Sequence, residues 1–178
     1  VSNIVMNGCN INHCMVRSEN WNSTTTSKGS GTTVTVPTYE PYLNIGIKGL
    51  GYGGVIKGAG KAECNLTMTS CDVSHCWGSG WGGAVLWAAN ANGCKAVFDN
   101  CTFTNNYARY LGGAISSEAT VVIQNCTLKD NVAGYGGGAV AAFPFSLADA
   151  ASAGGNAVGL TLSGNTMTNN RTLHITNR

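Results

Sequence analysis

The chain has 178 residues, enough for one domain with a sizeable core, and a formal net charge of +2 from 10 Lys and Arg against 8 Asp and Glu. So weak a charge, with no Lys/Arg run, gives no purchase on nucleic acid or on an anionic membrane surface, and no stretch of about 18 apolar residues exists to cross a bilayer. Glycine, at 25 residues against 3 prolines, together with abundant Asn, Ser and Thr, favours short strands and turns over helices.

In chain order, the first expected element is a strand through Ile4 and Met6, a bend at Gly8 and a second strand through Ile11. Apolar residues two apart have the period of a strand with one buried face. The next apolar position lies five residues on and changes parity, so a corner separates the two strands. The pattern then returns around four further reference positions, so that Cys9, Cys71, Cys101, Cys126 and Asn165 align. Five residues before them stand Ile4, Leu66, Ala96, Val121 and Leu160; three before, Met6, Met68, Phe98, Ile123 and Leu162; two after, Ile11, Val73, Phe103, Leu128 and Met167. The residue just before each reference is Gly8, Ser70, Asn100, Asn125 or Gly164. Gly and Asn tolerate the left-handed backbone that a sharp bend needs.

Residues 15–52 interrupt the first copy as an insertion, opening Ser/Thr/Gly-rich and running into the β-prone "TTVTV". A looser "GGVI" follows at Gly53. Gly82-Gly83-Ala84-Val85, Gly112-Gly113-Ala114-Ile115 and Gly137-Gly138-Ala139-Val140 then each begin 11 residues after a reference cysteine. Residues 141–159 form a second excursion, with an aromatic-Pro-aromatic knob at Phe143 and Phe145. A shortest full copy of 25 residues, made of short strands with like residues in register, has the length of one turn of a parallel β-helix. The expected fold is therefore all-β: a parallel β-helix (solenoid) of about five or six coils, as a single domain over residues 1–178. An antiparallel sandwich is the alternative, but it would not require constant offsets across three columns.

Coils stack about 4.8 Å apart, so aligned cysteines come within disulfide range. Cys9, Cys71, Cys101 and Cys126 share one file, Cys14 and Cys76 a second, Cys64 and Cys94 a third. The expected bridges are Cys14–Cys76, Cys64–Cys94, Cys9–Cys71 and Cys101–Cys126, the last two leaving no cysteine of their file unpaired. Each is worth about 3–4 kcal/mol on the chain-entropy account. An even cysteine count points to an oxidising, extracellular location. Sequons at Asn22, Asn65, Asn100, Asn125 and Asn170 permit N-glycosylation without requiring it. His13-Cys14 and His75-Cys76 nominally make a zinc set, but adjacent strand residues face opposite ways, so no metal and no other cofactor is expected.

The repeated G-G-A-[ILV] with F-x-x-N, seen in Gly112-Gly113-Ala114-Ile115 and Phe103-Thr104-Asn105-Asn106 and softened in Leu128-Lys129-Asp130-Asn131, resembles the repeats of polymorphic outer-membrane proteins. That group falls within the pectate-lyase-like β-helix class, and the likeness covers about residues 53–170. The resemblance implies a right-handed helix and a surface-exposed, often adhesive protein.

An enzymatic role is the less expected one. Glycoside hydrolysis needs two carboxylates about 5–9.5 Å apart. Asp72, Asp99 and Asp130 fall in different columns, leaving only loop acids such as Glu40 and Asp149 to meet. A polysaccharide-binding or polysaccharide-degrading β-helix remains the alternative, with Trp77, Trp81 and Trp87 as a sugar-stacking platform and Phe143 and Phe145 as further contacts. An ice-binding face built on Thr102/Thr104 and Thr166/Thr168 is interrupted by Lys129 and Asp72. Strand-like segments near both ends, without a helix-like cap, point to copies that stack end to end or exchange a strand. The expected role is a secreted structural or adhesive surface module that self-associates into a filament or stalk.

Overall fold

The computed structural model describes residues 2–16, 56–60, 64–89, 94–142 and 158–173. Within them the chain is all-β, with no helix. The first repeat comprises β1 (Ser2–Asn7), β2 (Asn10–Asn12), β3 (Met15–Val16) and β4 (Ile56–Gly60). The second holds β5 (Cys64–Thr69), β6 (Asp72–Ser74), β7 (Trp77–Gly78) and β8 (Val85–Ala89). The third holds β9 (Lys95–Asp99), β10 (Thr102–Thr104), β11 (Tyr107–Ala108) and β12 (Ile115–Ser117). The fourth holds β13 (Thr120–Gln124), β14 (Thr127–Lys129), β15 (Val132–Ala133) and β16 (Val140–Ala142). Strands β17 (Leu160–Ser163), β18 (Thr166–Thr168) and β19 (Arg171–Thr172) begin a fifth.

Like strands of successive repeats are neighbours in four parallel sheets, ordered β1-β5-β9-β13-β17, β2-β6-β10-β14-β18, β3-β7-β11-β15-β19 and β4-β8-β12-β16. The apolar columns of the sequence are the register of these sheets. Ile4 pairs with Leu66, Leu66 with Ala96, Ala96 with Val121 and Val121 with Leu160. Ile11, Val73, Phe103, Leu128 and Met167 follow one another in the same way. Pairing like with like puts every inward side chain on an equivalent one, and the columns merge into one core. Leu66, Met68, Val73, Phe98, Phe103, Val121, Ile123 and Leu128 are wholly buried in it. Phe98 meets Phe103 edge to face at 5.5 Å across the first corner.

That corner is left-handed as expected, at Gly8, Ser70, Asn100, Asn125 and Gly164. The sequence had suggested one bend per copy, yet each repeat has a second. His13, His75, Asn105, Asp130 and Asn169 all have φ between 52° and 56°. A two-residue strand follows each of these bends, too short to leave an alternating pattern. The Gly-Gly pair has a steric cause of its own. In the third repeat Gly112 takes φ 68°, and a Cβ on Gly113 would meet the Gly138 carbonyl oxygen and lie 2.6 Å from Val132 N. The first glycine turns the chain and the second lets neighbouring repeats close. In the last sheet both faces are covered, since Val85, Leu86, Trp87, Ile115, Ser116 and Ser117 are all buried.

Candidate functional site

Two internal ladders run through the bends. The position five residues after each reference holds Cys14, Cys76, Asn106, Asn131 and Asn170. Cys76 N donates to Asn106 Oδ1 at 3.0 Å. Asn106 N and Nδ2 both donate to Asn131 Oδ1 at 3.0 Å, and Asn131 N and Nδ2 to Asn170 Oδ1 at 3.0 and 2.9 Å. The second hydrogen of each amide goes to a carbonyl of the preceding repeat: Asn106 to Val73 and Asn131 to Phe103 at 2.9 Å, Asn170 to Leu128 at 2.8 Å. Asn106 and Asn131 are wholly buried, and every polar atom of their side chains is satisfied.

The cysteines stand in the same geometry. Cys71 Sγ donates to Met6 O and Cys101 Sγ to Met68 O, both at 3.4 Å. In the same ladder, two repeats on from Cys101, Asn165 Nδ2 donates to Ile123 O at 2.7 Å. Cys126 Sγ accepts from Cys101 N at 3.3 Å, where Asn165 Oδ1 accepts from Cys126 N at 2.8 Å. A thiol, weak donor and weak acceptor at once, occupies the place of an amide. A hydrogen bond from Cys101 holds the Cys126 thiol below its usual range, and the same bond, with burial, pushes Cys101 up.

The three files expected for the cysteines are present in the register. Thr69 pairs with Asn7 and Asp72 with Asn10 around Cys9 and Cys71, and Asn65 pairs with Lys95 beside Cys64 and Cys94. The expected stapling differs from what is found. Cys9, Cys14, Cys71, Cys76, Cys94, Cys101 and Cys126 are all free thiols, and the side chain of Cys64 lies outside the described residues. The corner closes by thiol-to-carbonyl hydrogen bonds, so its geometry is met without a covalent link.

His13 and His75 occupy the left-handed corners and stack at 4.9 Å with planes 3° apart, while the Cys14 and Cys76 sulfurs turn back to Asn12 O and Ser74 O at 3.3 Å. The bend, rather than strand alternation, separates His from Cys. Among the described residues no group of three or more His, Cys, Asp or Glu side chains gathers to hold a metal. Asp99 accepts from Asn125 Nδ2 at 3.1 Å, and Asp130 pairs with Lys129 at 3.8 Å. Asp72 is exposed on β6, and Glu40 and Asp149 lie outside the described residues.

The sequons separate by environment. Asn100 and Asn125 are exposed at corners, donating to Ser70 Oγ at 3.0 Å and Asp99 Oδ1 at 3.1 Å. Asn65 is half-buried, with Nδ2 on Asn3 Oδ1 at 3.1 Å, and Asn170 is a ladder residue whose Nδ2 points inward. Asn22, Phe143 and Phe145 lie outside the described residues.

The three tryptophans do not share a surface. Trp87 is wholly buried in the core on β8, and Trp77 is buried against Tyr107 at 6.1 Å. Trp81 alone is partly exposed, and its neighbours come from other repeats. Its ring lies 5.3 Å from Tyr110, which in turn stacks on Tyr135 at 5.6 Å. Arg109 lies over Tyr110, 5.4 Å from the ring centre. The tyrosines carry the strip, and their alignment nine residues after Cys101 and Cys126 is the signal that would have found them. No protein-family model, curated protein or solved structure matches this chain.

Proposed function

We propose that the chain winds as a right-handed parallel β-helix and serves as a secreted structural and adhesive surface module whose copies stack end to end. The winding is supported by four sheets that each advance one repeat per strand. Right-handedness is supported by the G-G-A-[ILV] and F-x-x-N repeats and by the strong preference of parallel crossovers for that hand. Cysteines from successive repeats lie in file, which suits an oxidising, extracellular setting in which Cys9–Cys71, Cys101–Cys126, Cys14–Cys76 and Cys64–Cys94 bridge.

The observation that carries self-association is the contrast between inner and outer repeats. Leu66, Val121, Ile123 and Leu128 are 0% exposed, whereas Ile4 at one end is 41% exposed and Leu160, Leu162 and Met167 at the other are 43%, 46% and 41% exposed. At that second end Val140, Leu160, Leu162 and Met167 line a concavity of about 360 Å³. Among the described residues the outer strands have no further neighbour; such edges beside exposed apolar columns take a further repeat, and a head-to-tail contact between unlike ends leaves new ends open. Sedimentation velocity across a concentration series, with negative-stain electron microscopy, tests this. Concentration-dependent rods are expected, with Leu162→Lys suppressing them while leaving the unfolding midpoint in place. A strictly monomeric particle at every concentration would overturn the reading.

A further inference from the structure

Neighbouring repeats are joined at each bend by backbone bonds that recur between equivalent positions. At the first bend Gly8 N donates to Thr69 O, Ser70 N to Asp99 O, Asn100 N to Gln124 O and Asn125 N to Ser163 O, at 2.9–3.1 Å. The return bonds run from Asp72 N to Cys9 O, Thr102 N to Cys71 O, Thr127 N to Cys101 O and Thr166 N to Cys126 O, at 2.8–2.9 Å. At the second bend His13 N, His75 N, Asn105 N and Asp130 N donate to Ser74 O, Thr104 O, Lys129 O and Thr168 O, at 3.0–3.1 Å.

Each series stops at the last described repeat. Gly164 N, Asn169 N and Asn165 O hold the next donor and acceptor positions, and among the described residues none has a backbone partner. The first repeat holds the complementary set. Thr69 O accepts from both Gly8 N and the Cys71 thiol; its counterpart Asn7 O keeps the Cys9 thiol at 3.6 Å, but among the described residues no preceding bend supplies the N–H. Ser74 O likewise accepts from His13 N and the Cys76 thiol, and Asn12 O from the Cys14 thiol alone. Asn10 N occupies the place of the donor Asp72 N, complementary to the carbonyl of Asn165.

We propose that the junction between copies is one further inter-repeat step, in which β17 and β18 of one copy pair with β1 and β2 of the next, Leu160 on Ile4, Leu162 on Met6, Asn165 on Cys9 and Met167 on Ile11. The inference rests on the head-to-tail reading above and fixes its register. Gly164 N then donates to Asn7 O, Asn169 N to Asn12 O, and Asn10 N to Asn165 O. The Asn165 N–H meets the Cys9 sulfur as the Cys101 N–H meets that of Cys126 at 3.3 Å. Ile4, Leu160, Leu162 and Met167, now 41–46% exposed, become covered, whereas a slip of one residue would turn them all outward. Sheets guard open edges with charged side chains, and β1, β2, β17 and β18 carry none. A lone peptide strand could add to one sheet only. Two bends at this spacing require a segment that turns twice, and the first repeat of a second copy is that segment.

Asn10→Cys and Thr166→Cys, made together in the full chain, put one thiol on the outer face of each end, about 4.8 Å apart across the junction. Oxidation followed by non-reducing electrophoresis and peptide mapping is expected to join position 10 of one copy to position 166 of the next. The offset pair, Asn12→Cys with Thr166→Cys, is expected to link at least about tenfold less, its thiols lying beyond disulfide reach. In the unaltered chain, hydrogen exchange at the Gly164 and Asn169 amides is expected to slow about tenfold or more between dilute monomer and rods. Should the double variant fail to fold, this second measurement decides. Rods in which the offset pair links equally, in which neither pair links, or in which the two amides exchange as in the monomer would overturn the register and leave stacking intact. Amides already slow in the dilute monomer would overturn it as well, because a segment of the same chain would then cover the edge. A particle that stays monomeric at every concentration would overturn both the register and the stacking beneath it.

Discussion

Replacing Asn131 by alanine removes one rung from the middle of the buried amide ladder. Four bonds are lost: those from Asn106 N and Asn106 Nδ2 to Asn131 Oδ1, and those from Asn131 Nδ2 to the Phe103 carbonyl and to Asn170 Oδ1. Asn106 Nδ2 keeps its bond to Val73 O, and the Phe103 carbonyl keeps its place in the ladder between β10 and β14, so the group left buried and unpaired is the Asn106 N–H. At about 1–3 kcal/mol for the stranded N–H, about 1 kcal/mol for each of the other lost bonds, and with the void left by the lost amide, the loss comes to roughly 3–6 kcal/mol. Asn131→Cys should behave otherwise, because a thiol donates to the carbonyl at Cys71 and Cys101 and accepts from an amide N–H at Cys126. Its cost is expected at about 1–2 kcal/mol, set by weaker sulfur hydrogen bonds. Urea unfolding followed by circular dichroism under reductant measures both. With a slope of about 2 kcal/mol per molar, the alanine midpoint falls by about 1.5–3 M and the cysteine midpoint by about 1 M or less. An alanine variant within about 1 kcal/mol of the parent, or a cysteine variant no better than alanine, would refute the equivalence of thiol and amide in the ladder.

Gly113→Ala forces a Cβ into the Gly138 carbonyl and is expected to cost about 3 kcal/mol or more, while Gly8→Ala, with φ 59° and open space around the new methyl, costs about 1 kcal/mol; thermal unfolding of the two variants checks the contrast. Burial pushes the Cys76 thiol up from 9.0 to about 11. Between those values the unfolded chain has given up a proton that the folded one keeps, so stability is level below the window and falls as pH rises through it. Melting the reduced protein on either side of the window should show the fall, and Cys76→Asn should lessen it. On oxidation with glutathione disulfide, bridges are expected only within files, Cys101–Cys126 closing first because the Cys126 thiol is the one held nearer to thiolate. Peptide mapping without reduction would contradict this by linking Cys14 to Cys94.

The columns were legible because burial imposes a period of two and stacking imposes identity between copies. Ile4 through Leu160 and Ile11 through Met167 could be written down as register before any coordinates. The second bend escaped because its five residues, His13, His75, Asn105, Asp130 and Asn169, share a backbone conformation rather than a side-chain type. The ladder was half visible. Cys14 and Cys76 had been placed in file and Asn106 belonged to the F-x-x-N motif, but their equivalence is a matter of hydrogen-bond direction, which a string of letters does not carry. Trp77, Trp81 and Trp87 drew attention by closeness along the chain. Repeats instead bring together residues far apart in sequence, so Trp81 finds its companions in Tyr110 and Tyr135.

The amide ladder also has a sense. From Cys76 through Asn106 and Asn131 to Asn170, every amide oxygen accepts from the lower-numbered repeat, and Asn106 and Asn131 each donate one hydrogen to the higher, so the side-chain carbonyl dipoles share one sense along the axis. At one extremity stands the Asn170 amide, with Nδ2 on the Leu128 carbonyl; at the other, at Cys14, stands sulfur. A growing assembly would therefore be vectorial, like a row of magnets laid nose to tail, with its two tips elongating at different rates.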